Sequence, residues 1–374
     1  TIGDIKVFST LHSIAFNDGA KHPKIAEEIR DVLASGEARE KMSIDFAADA
    51  GHWLPCLFDI RPTPDPGGRG NGVLVVIEDK SVEQSLRKVL NQTMSASVTE
   101  AIVDGQALGL EGKETDATIL FSDIRAFTSL CESLSASALV TLLNEYFTFM
   151  ADVIRGNRGI IDKYIGDAIM ALFGVPNPDR RTADNAVQAA IGMIQALDLF
   201  NEDRRRAGDA VFQIGIGIAN GPVIAGTLGS PERMNYTVIG DAVNLASRIE
   251  GLNRVYGTQT LISEATRANI GGDFLTRPVD LVAVKGKSFP VLVHELLGWK
   301  SKAPEKLVEL AASTAAAHAH LVGRNYGQAR RDYEGILSRH PDDGVAKVMA
   351  QRCAELEKSP PPADWSGVFR LKMK

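Results

Sequence analysis

Strand-like and helix-like segments alternate between residues 117 and 298, and this alternation constrains the fold more than any other feature of the chain. Apolar runs and helical periodicities predict, in order, a strand at 117–122, a helix at 137–155, a hairpin at 159–174, a helix at 182–207, a strand at 211–219, a helix at 241–256 and a strand at 259–262. Strands that pair through hairpins between helices are typical of α+β sandwiches. We therefore expect an α+β domain rather than a doubly wound parallel sheet.

Composition narrows the range of partners and compartments. The chain has 374 residues, enough for two or three domains, and its net charge of −6 gives no reason to expect nucleic-acid binding. The three cysteines are widely spaced and lack metal-ligand spacing, which favours reduced thiols in a cytosolic setting. No apolar run reaches the roughly 18–20 residues of a membrane span, and no secretory signal is present. We therefore predict a cytoplasmic location.

The N-terminal region is predicted to be a small mixed α/β domain over residues 1–80. Its pattern comprises a helix at 24–35, strands at 42–48 and 53–61, a Gly-rich loop at 65–72 and a strand at 73–78. This part resembles the C-terminal part of a PAS sensor domain whose first strands are missing. The start at Thr1 also favours a fragment, so that a membrane or sensor region could lie upstream and tether the protein to a membrane.

Residues 81–116 are predicted to form a linker. A helical pattern covers 79–105, and a polar, Gly-containing loop follows at 106–116. Val82, Leu86 and Val89 form an apolar stripe of barely two heptads. Two interpretations stay open, namely an amphipathic helix packed on its own domain and a short parallel coiled coil between two chains.

The C-terminal region is helical over 303–357 and extended over 358–374, with Trp365 as the candidate anchor of the tail. The spacing of Tyr326, Ala329, Tyr333 and Ile336 resembles the helix pair of a tetratricopeptide unit. Because one such repeat cannot bury its apolar face alone, we expect it to pack on neighbouring parts of the chain or on another chain.

Two acidic residues follow apolar strands in the central region. Asp123 comes directly after the strand at 118–121, and Asp167 follows Gly166 in the predicted hairpin turn. Either residue alone is more often a loop or capping residue. Paired carboxylates on neighbouring strands, however, suit hard cations such as Mg²⁺ or Mn²⁺, which prefer oxygen ligands, and two such ions can stabilise both oxygens in a phosphoryl displacement.

Further polar residues lie in the second half of this region. Asn244 and Arg248 are four residues apart in the predicted helix, so they share one face and offer an amide and a permanent cation. Lys285 lies in the basic turn VKGK at 284–287. The glycines at 215–221 lie in a strand-like run and lack the spacing of a dinucleotide-binding loop, so that interpretation is rejected.

Five motifs together resemble the catalytic domain of class III adenylyl and guanylyl cyclases. FSDIRAFT at 121–128, DKYIGDAIMALFG at 162–174, GIGIANGPVIAGTLG at 215–229, YTVIGDAVNLASRIE at 236–250 and VKGK at 284–287 stand in the family's order over residues 117–298. The resemblance implies a ferredoxin-like α+β sandwich. It also implies an adenylyl cyclase that converts ATP to cyclic AMP and pyrophosphate with two Mg²⁺ or Mn²⁺ ions per site.

The resemblance also assigns a role to each matching residue. The implied metal ligands are Asp123, the Ile124 carbonyl and Asp167; the implied substrate contacts are Phe127, Thr128, Lys163, Thr237, Asn244 and Lys285; and Arg248 with Asn244 would be catalytic. Lys163 and Thr237 occupy the purine-reading positions. Thr237 matches a Thr-bearing subclass of the family, some of whose members respond to bicarbonate, so bicarbonate activation is an expectation.

Two alternatives were weighed against an adenylyl cyclase. A guanylyl cyclase needs an acceptor for the protonated N1 of guanine, whereas Lys163 can only donate and therefore suits adenine. An inactive scaffold usually lacks a metal-binding aspartate or the arginine, and this chain keeps both. Because Lys163 and Asp167 lie on one hairpin yet would serve opposite ends of the nucleotide, we expect a head-to-tail homodimer with two composite sites.

Overall fold

The computed structural model of the protein describes residues 23–49, 52–64, 71–81, 112–230, 233–282, 290–362 and 365. The chain divides into two compact units, 1–99 and 100–374, which are described separately. None of the helices in these described ranges is long and apolar enough to cross a membrane.

The first unit contains one helix and an antiparallel three-stranded sheet. Its elements are α1 (Pro23–Ser35), β1 (Arg39–Asp49), β2 (His52–Pro64) and β3 (Asn71–Asp79), with β2 between the other two strands. Ile25 and Ile29 of α1 are buried against Phe58 and Ile60 of β2, which forms a small separate core. The predicted helix and strands are therefore present, and the PAS resemblance stays a prediction. The predicted linker helix lies, from residue 82 onward, outside the described residues.

The second unit is built around an eight-stranded sheet. Its strands are β4 (Lys113–Ile124), β5 (Gly159–Ile165), β6 (Ala168–Phe173), β7 (Ile214–Ser230), β8 (Arg233–Ile239), β9 (Thr260–Ser263), β10 (Phe274–Val282) and β11 (Val291–Trp299). The helices between these strands are α2 (Phe127–Ser133), α3 (Ala136–Gly156), α4 (Thr182–Ala207), α5 (Asp241–Tyr256) and α6 (Glu264–Asn269). After a short 3₁₀ turn, α7 (Glu305–Val322), α8 (Tyr326–Arg339) and α9 (Gly344–Lys358) follow.

The order of the strands gives the unit its topology. The sheet runs β10-β11-β9-β7-β4-β6-β5, and β8 pairs with the far end of β7. All pairings are antiparallel except that of β7 with β9. The series β4-α3-β5-β6-α4-β7 with the order β7-β4-β6-β5 is the ferredoxin-like arrangement, so the expected α+β sandwich is confirmed.

The core of this unit lies between the sheet and helices α3 and α4. Tyr146 and Met150 of α3 and Met193 of α4 are fully buried against Phe173 of β6 and Ile216 of β7. These apolar positions recur at helical spacing in both helices, which is why their boundaries could be predicted from the sequence. The helices α4 and α5 begin and end where the sequence predicts.

Two strands differ from their predicted boundaries. The sequence predicts a loop over 106–116, but β4 begins at Lys113 because residues 113–116 pair with the distal half of β7. The strand predicted at 211–219 begins at Ile214 and continues to Ser230. Its Gly- and Pro-containing second half reads as a loop by composition, yet it is paired with β4 on one side and β8 on the other.

The C-terminal helices pack on the sheet unit of their own chain. Helix α7 lies against β10, and α9 lies against α5. Three helices are present in place of a single helix pair, and the tetratricopeptide resemblance stays a prediction. The tail returns toward the start of α8, where the guanidinium of Arg324 donates hydrogen bonds to the carbonyls of Pro362 and Trp365 at 3.2 and 3.1 Å.

Candidate active site

The sheet brings the two predicted metal-binding carboxylates together at the ends of β4 and β6. Asp123 lies on β4 opposite Gly215 of β7, and Asp167 lies in the turn that joins β5 to β6. Gly166 has φ +65° in this tight turn, a conformation that glycine adopts without strain. The backbone N–H of Ile124 donates to the Asp167 carboxylate at 3.3 Å, so the two strand ends are joined directly.

The electrostatics of this pair favour a bound cation. Burial, and then a hydrogen bond and charge repulsion from Asp167, raise the pKa of Asp123 to about 6. Asp123 and Asp167 repel one another when both carboxylates are ionised, and a divalent ion would remove that penalty. The described residues contain no cluster of three or more histidine, cysteine and acidic side chains suited to a metal. An ion held by this pair would therefore take its other ligands from the backbone, water or substrate.

A third carboxylate, Glu250, was missed by the sequence analysis. Burial, and then the charges of Asp123 and Asp167, raise the pKa of Glu250 to about 7 against the opposing charge of Arg125. The Arg125 guanidinium also donates to the Thr258 carbonyl. Glu250 lies two residues beyond Arg248 at the end of the motif at 236–250, and its sequence position alone does not place it beside the two aspartates. It places additional negative charge beside the aspartate pair.

Lys163 and Thr237 come together although they are 74 residues apart in the sequence. The Lys163 ammonium donates to the Thr237 hydroxyl at 3.4 Å and lies 3.1 Å from the carboxylate of Asp162, whose side chain is fully buried. Lys163 is partly exposed on β5, while Thr237 of β8 is buried. The pair therefore presents a fixed hydroxyl and an amine that remains accessible to a ligand.

Asn244 and Arg248 lie on the face of α5 that points away from the sheet. The opposite face of α5, which contains Ala246 and Glu250, packs directly on β7. A Cβ at Gly217 of β7 would lie only 2.4 Å from the Ala246 carbonyl oxygen and 2.2 Å from the Glu250 nitrogen. At about 100° per residue, Asn244 and Arg248 point roughly opposite to Ala246. Asn244 is exposed and Arg248 is half-buried.

The remaining predicted residues are placed differently. Phe127 begins α2 and packs against the core, whereas the side chain of Thr128 is exposed. Ala126, which precedes α2, has φ +54°, a left-handed conformation that turns the chain sharply after β4. Lys285 and its basic turn lie outside the described residues.

Comparisons with known proteins identify the family to which this fold belongs. The sequence model of the adenylate and guanylate cyclase catalytic domain matches residues 111–298, and the chain belongs to this family. It is 44% identical over 201 residues to an adenylate cyclase of Anabaena cylindrica, which covers 50% of this chain and 39% of that protein. It is 34% identical over 201 residues to adenylate cyclase 1 of Rhizobium meliloti strain 1021, covering 54% of this chain and 30% of that protein.

The fold of this chain is also similar to that of a solved cyclase structure. The fold resembles that of a bacterial light-regulated adenylyl cyclase with a TM-score of 0.52 and 28% sequence identity, covering 63% of this chain and 68% of the other. The chain therefore spans less than half the length of the two curated relatives and about two thirds of this structure.

Proposed function

We propose that the protein is an adenylyl cyclase that converts ATP to 3′,5′-cyclic AMP and pyrophosphate. The observation that carries this proposal is the contact between Lys163 and Thr237, because it presents a donor and a buried hydroxyl suited to the edge of adenine. The pairing of Asp123 with Asp167 adds a place for two divalent ions. Membership of the cyclase family agrees with both.

In this reaction the ribose 3′-oxygen forms a bond to the α-phosphorus while the bond to the pyrophosphate oxygen breaks, and the hydroxyl proton leaves to water or a phosphate oxygen. Asp123 and Asp167 would hold Mg²⁺ or Mn²⁺, with the Ile124 carbonyl as a further ligand. Such ions would supply a lower pKa for the hydroxyl and neutralisation of phosphate charge. Arg248 meets the negative charge that develops at the α-phosphate, and Asn244 orients the ribose. Lys285 contacts the terminal phosphates, while Phe127 and Thr128 adjoin the substrate.

The geometry favours a site divided between two chains. Asp123 and Glu250 are on the sheet side of α5, while Asn244 and Arg248 point away from that sheet. One ATP molecule can contact both sets most simply if a second chain presents its own α5 to the carboxylates of the first. This arrangement predicts a head-to-tail homodimer with two equivalent sites.

The decisive experiment measures cyclic nucleotide production with Mn²⁺ and either ATP or GTP. We expect cyclic AMP from ATP and about 5- to 150-fold less product from GTP, because mispairing a buried polar group costs about 1–3 kcal/mol. A preference for GTP would identify a guanylyl cyclase, and no product from either nucleotide would favour an inactive scaffold. The double variant Lys163→Glu with Thr237→Cys should shift the nucleotide preference toward GTP.

Mixing two inactive variants tests the composite site. Asp123→Ala and Arg248→Ala should each be inactive, whereas a mixed dimer contains one intact site of two. Random pairing makes half of the dimers mixed, so recovery should approach about a quarter of wild-type activity. Absence of recovery after proven subunit exchange would require a site within one chain.

Regulation belongs to the same proposal. The N-terminal unit would act as a sensor through the predicted helix at 79–105, and inserting one residue near Lys88 would rotate the downstream helix by about 100°. We expect that insertion to change activity. Bicarbonate is expected to raise turnover at fixed pH, and a flat response would remove that expectation.

A further inference from the structure

The end of helix α5 is held by the C-terminal helices. Tyr256, the last residue of α5, is 1% exposed, and its hydroxyl donates to the carboxylate of Asp280 on β10. The guanidinium of Arg352 on α9 lies 2.6 Å from the other oxygen of Asp280 and 3.5 Å from the Tyr256 hydroxyl. Three elements that are distant in sequence are thereby joined by one buried polar cluster.

A second buried cluster holds the start of α9. Arg277 of β10 contacts Glu295 of β11 at 2.6 Å and Asp343 at 2.7 Å, and the three side chains are nearly inaccessible to solvent. Asp343 is also the residue that caps α9, since its carboxylate accepts from the Ala346 N–H at 2.7 Å. The same guanidinium lies 3.5 Å from the hydroxyl of Thr314 on α7. The cap of α9 is therefore fixed to the catalytic sheet.

The backbones of α5 and α9 meet at a glycine. A Cβ at Gly344, the first residue of α9, would lie 2.2 Å from the Tyr256 carbonyl oxygen and 3.2 Å from the Cα of Gly257. Both opposing atoms belong to the backbone, so neither can move aside without moving its element. Glycine at position 344 therefore allows direct backbone contact, and the position of α9 constrains the position of the C-terminal end of α5.

We propose that the C-terminal helices are a positioning element of the active site. They contact the end of α5, the helix that carries Asn244 and Arg248. Gly344 makes this contact through the backbone, and Arg352 makes it together with Asp280 of β10. Arg248 lies eight residues before Tyr256, about 12 Å along the helix axis, so a shift at the seat of α9 moves Arg248 as part of a rigid body. Asp123 on β4 and Asp167 in the turn before β6 are not part of α5, so we expect their positions to stay unchanged. This inference rests on the proposed cyclase function for its kinetic readout alone.

The first test compares two glycine substitutions in the helical segment. Gly344→Ala introduces the backbone conflict, whereas Gly335→Ala in α8 adds a Cβ that meets nothing within 4 Å. We expect Gly344→Ala to lower kcat about 10- to 100-fold, because a misplacement of about 1 Å distant from the chemistry has effects of this size. The Mn²⁺ concentration for half-maximal activity should not change, and Gly335→Ala should behave as wild type.

A second readout does not need activity. Amide hydrogen exchange over 244–256 should become faster in Gly344→Ala and stay unchanged in Gly335→Ala, while exchange in β4 and β6 stays the same in both. If the wild-type protein makes no cyclic nucleotide, the proposed function fails but this comparison still decides the positioning role. Unchanged exchange in α5 together with unchanged kcat would overturn the inference.

The third comparison guards against misfolding of the glycine variant. Arg352→Met removes the charge that pairs with Asp280, Arg352→Lys retains it, and Arg331→Met changes an arginine on the exposed face of α8. We expect lower kcat and faster exchange in α5 for Arg352→Met, partial rescue by Arg352→Lys, and no effect of Arg331→Met. Equal effects of Arg352→Met and Arg331→Met would contradict the role of the cluster formed by Tyr256, Asp280 and Arg352.

Discussion

Two groups of ionisable side chains in the second unit differ in how their charges are balanced. Asp123, Asp167 and Glu250 bring carboxylates of like sign together at the strand ends. At the start of α9, Arg277 places one guanidinium between the carboxylates of Glu295 and Asp343. In the first group, burial and the neighbouring acids raise the pKa of Asp123 to about 6 and that of Glu250 to about 7. In the second, burial alone would lower the pKa of Arg277, and its two acidic partners outweigh burial and raise it.

The difference in charge balance indicates that the first group belongs to a binding site and that the second group stabilises the fold. A group of like charges is unfavourable in the metal-free fold and becomes favourable only when a cation arrives, which is typical of a binding site. A buried cation between two carboxylates is balanced within the chain, and removing one partner leaves charge that nothing offsets. Changes at the first group should therefore affect activity and spare stability, while the main effect of changes at the second group should be a loss of stability.

The largest expected effect is on activity at the carboxylate pair. Asp123→Asn should lower cyclic AMP production by about 1,000-fold or more, because it removes a ligand from ions that stabilise the reacting phosphate. The thermal unfolding midpoint should not fall, because repulsion with Asp167 is relieved. Asp116→Asn, at an exposed position of the same strand, is the matched control. A large fall in the unfolding midpoint of Asp123→Asn would contradict the proposed difference between the two groups.

At the buried cluster of Arg277, Glu295 and Asp343, the main expected effect is on stability. Arg277→Met should lower the free energy of unfolding by about 3–5 kcal/mol, because Glu295 and Asp343 would remain buried without a partner. Arg155→Met breaks an exposed pair with Asp152 and should cost at most about 1 kcal/mol. Urea denaturation of both variants measures the difference. Equal costs would show that the buried network contributes no more than a surface ion pair.

Metal addition should stabilise the protein through the first group alone. At 100 times the dissociation constant, Mn²⁺ should add about 2.7 kcal/mol to the free energy of unfolding. Asp123→Asn should lose most of this gain and Asp116→Asn should keep it. Thermal unfolding with and without Mn²⁺ provides the measurement, and equal stabilisation of all three proteins would place the ions elsewhere.

The smallest expected effect is on the pH dependence of stability. Because the pKa values of Asp123 and Glu250 are raised in the folded protein, the native state binds more protons than the unfolded chain between about pH 4 and pH 7. Metal-free stability should therefore fall as pH rises through this window. Solvent screening of the half-buried Asp123 keeps the change small. Asp123→Asn should flatten the profile, unlike Asp198→Asn at an exposed site on α4; parallel profiles for wild type and Asp123→Asn would contradict this account.

Local patterns alone were sufficient to predict much of this protein. The helices at 182–207 and 241–256 were predicted with their observed boundaries, because amphipathic periodicity depends on residues three or four positions apart. The order of five motifs identified the family and the α+β class. The same reasoning placed Asp123 and Asp167 near one another, since strand ends of a hairpin and its neighbour share an edge. The catalytic roles of these residues remain predictions.

Other features were decided only by the tertiary structure. The contact of Lys163 with Thr237, the approach of Glu250 to the aspartate pair and the direction of Arg248 away from its own sheet depend on how distant segments pack. Arg277 and Arg352 are unremarkable in the sequence, yet folding buries each beside acids from other elements. The physical reason is that burial and pairing of charge arise between segments, whereas periodicity along the chain reports only which face of each segment is apolar.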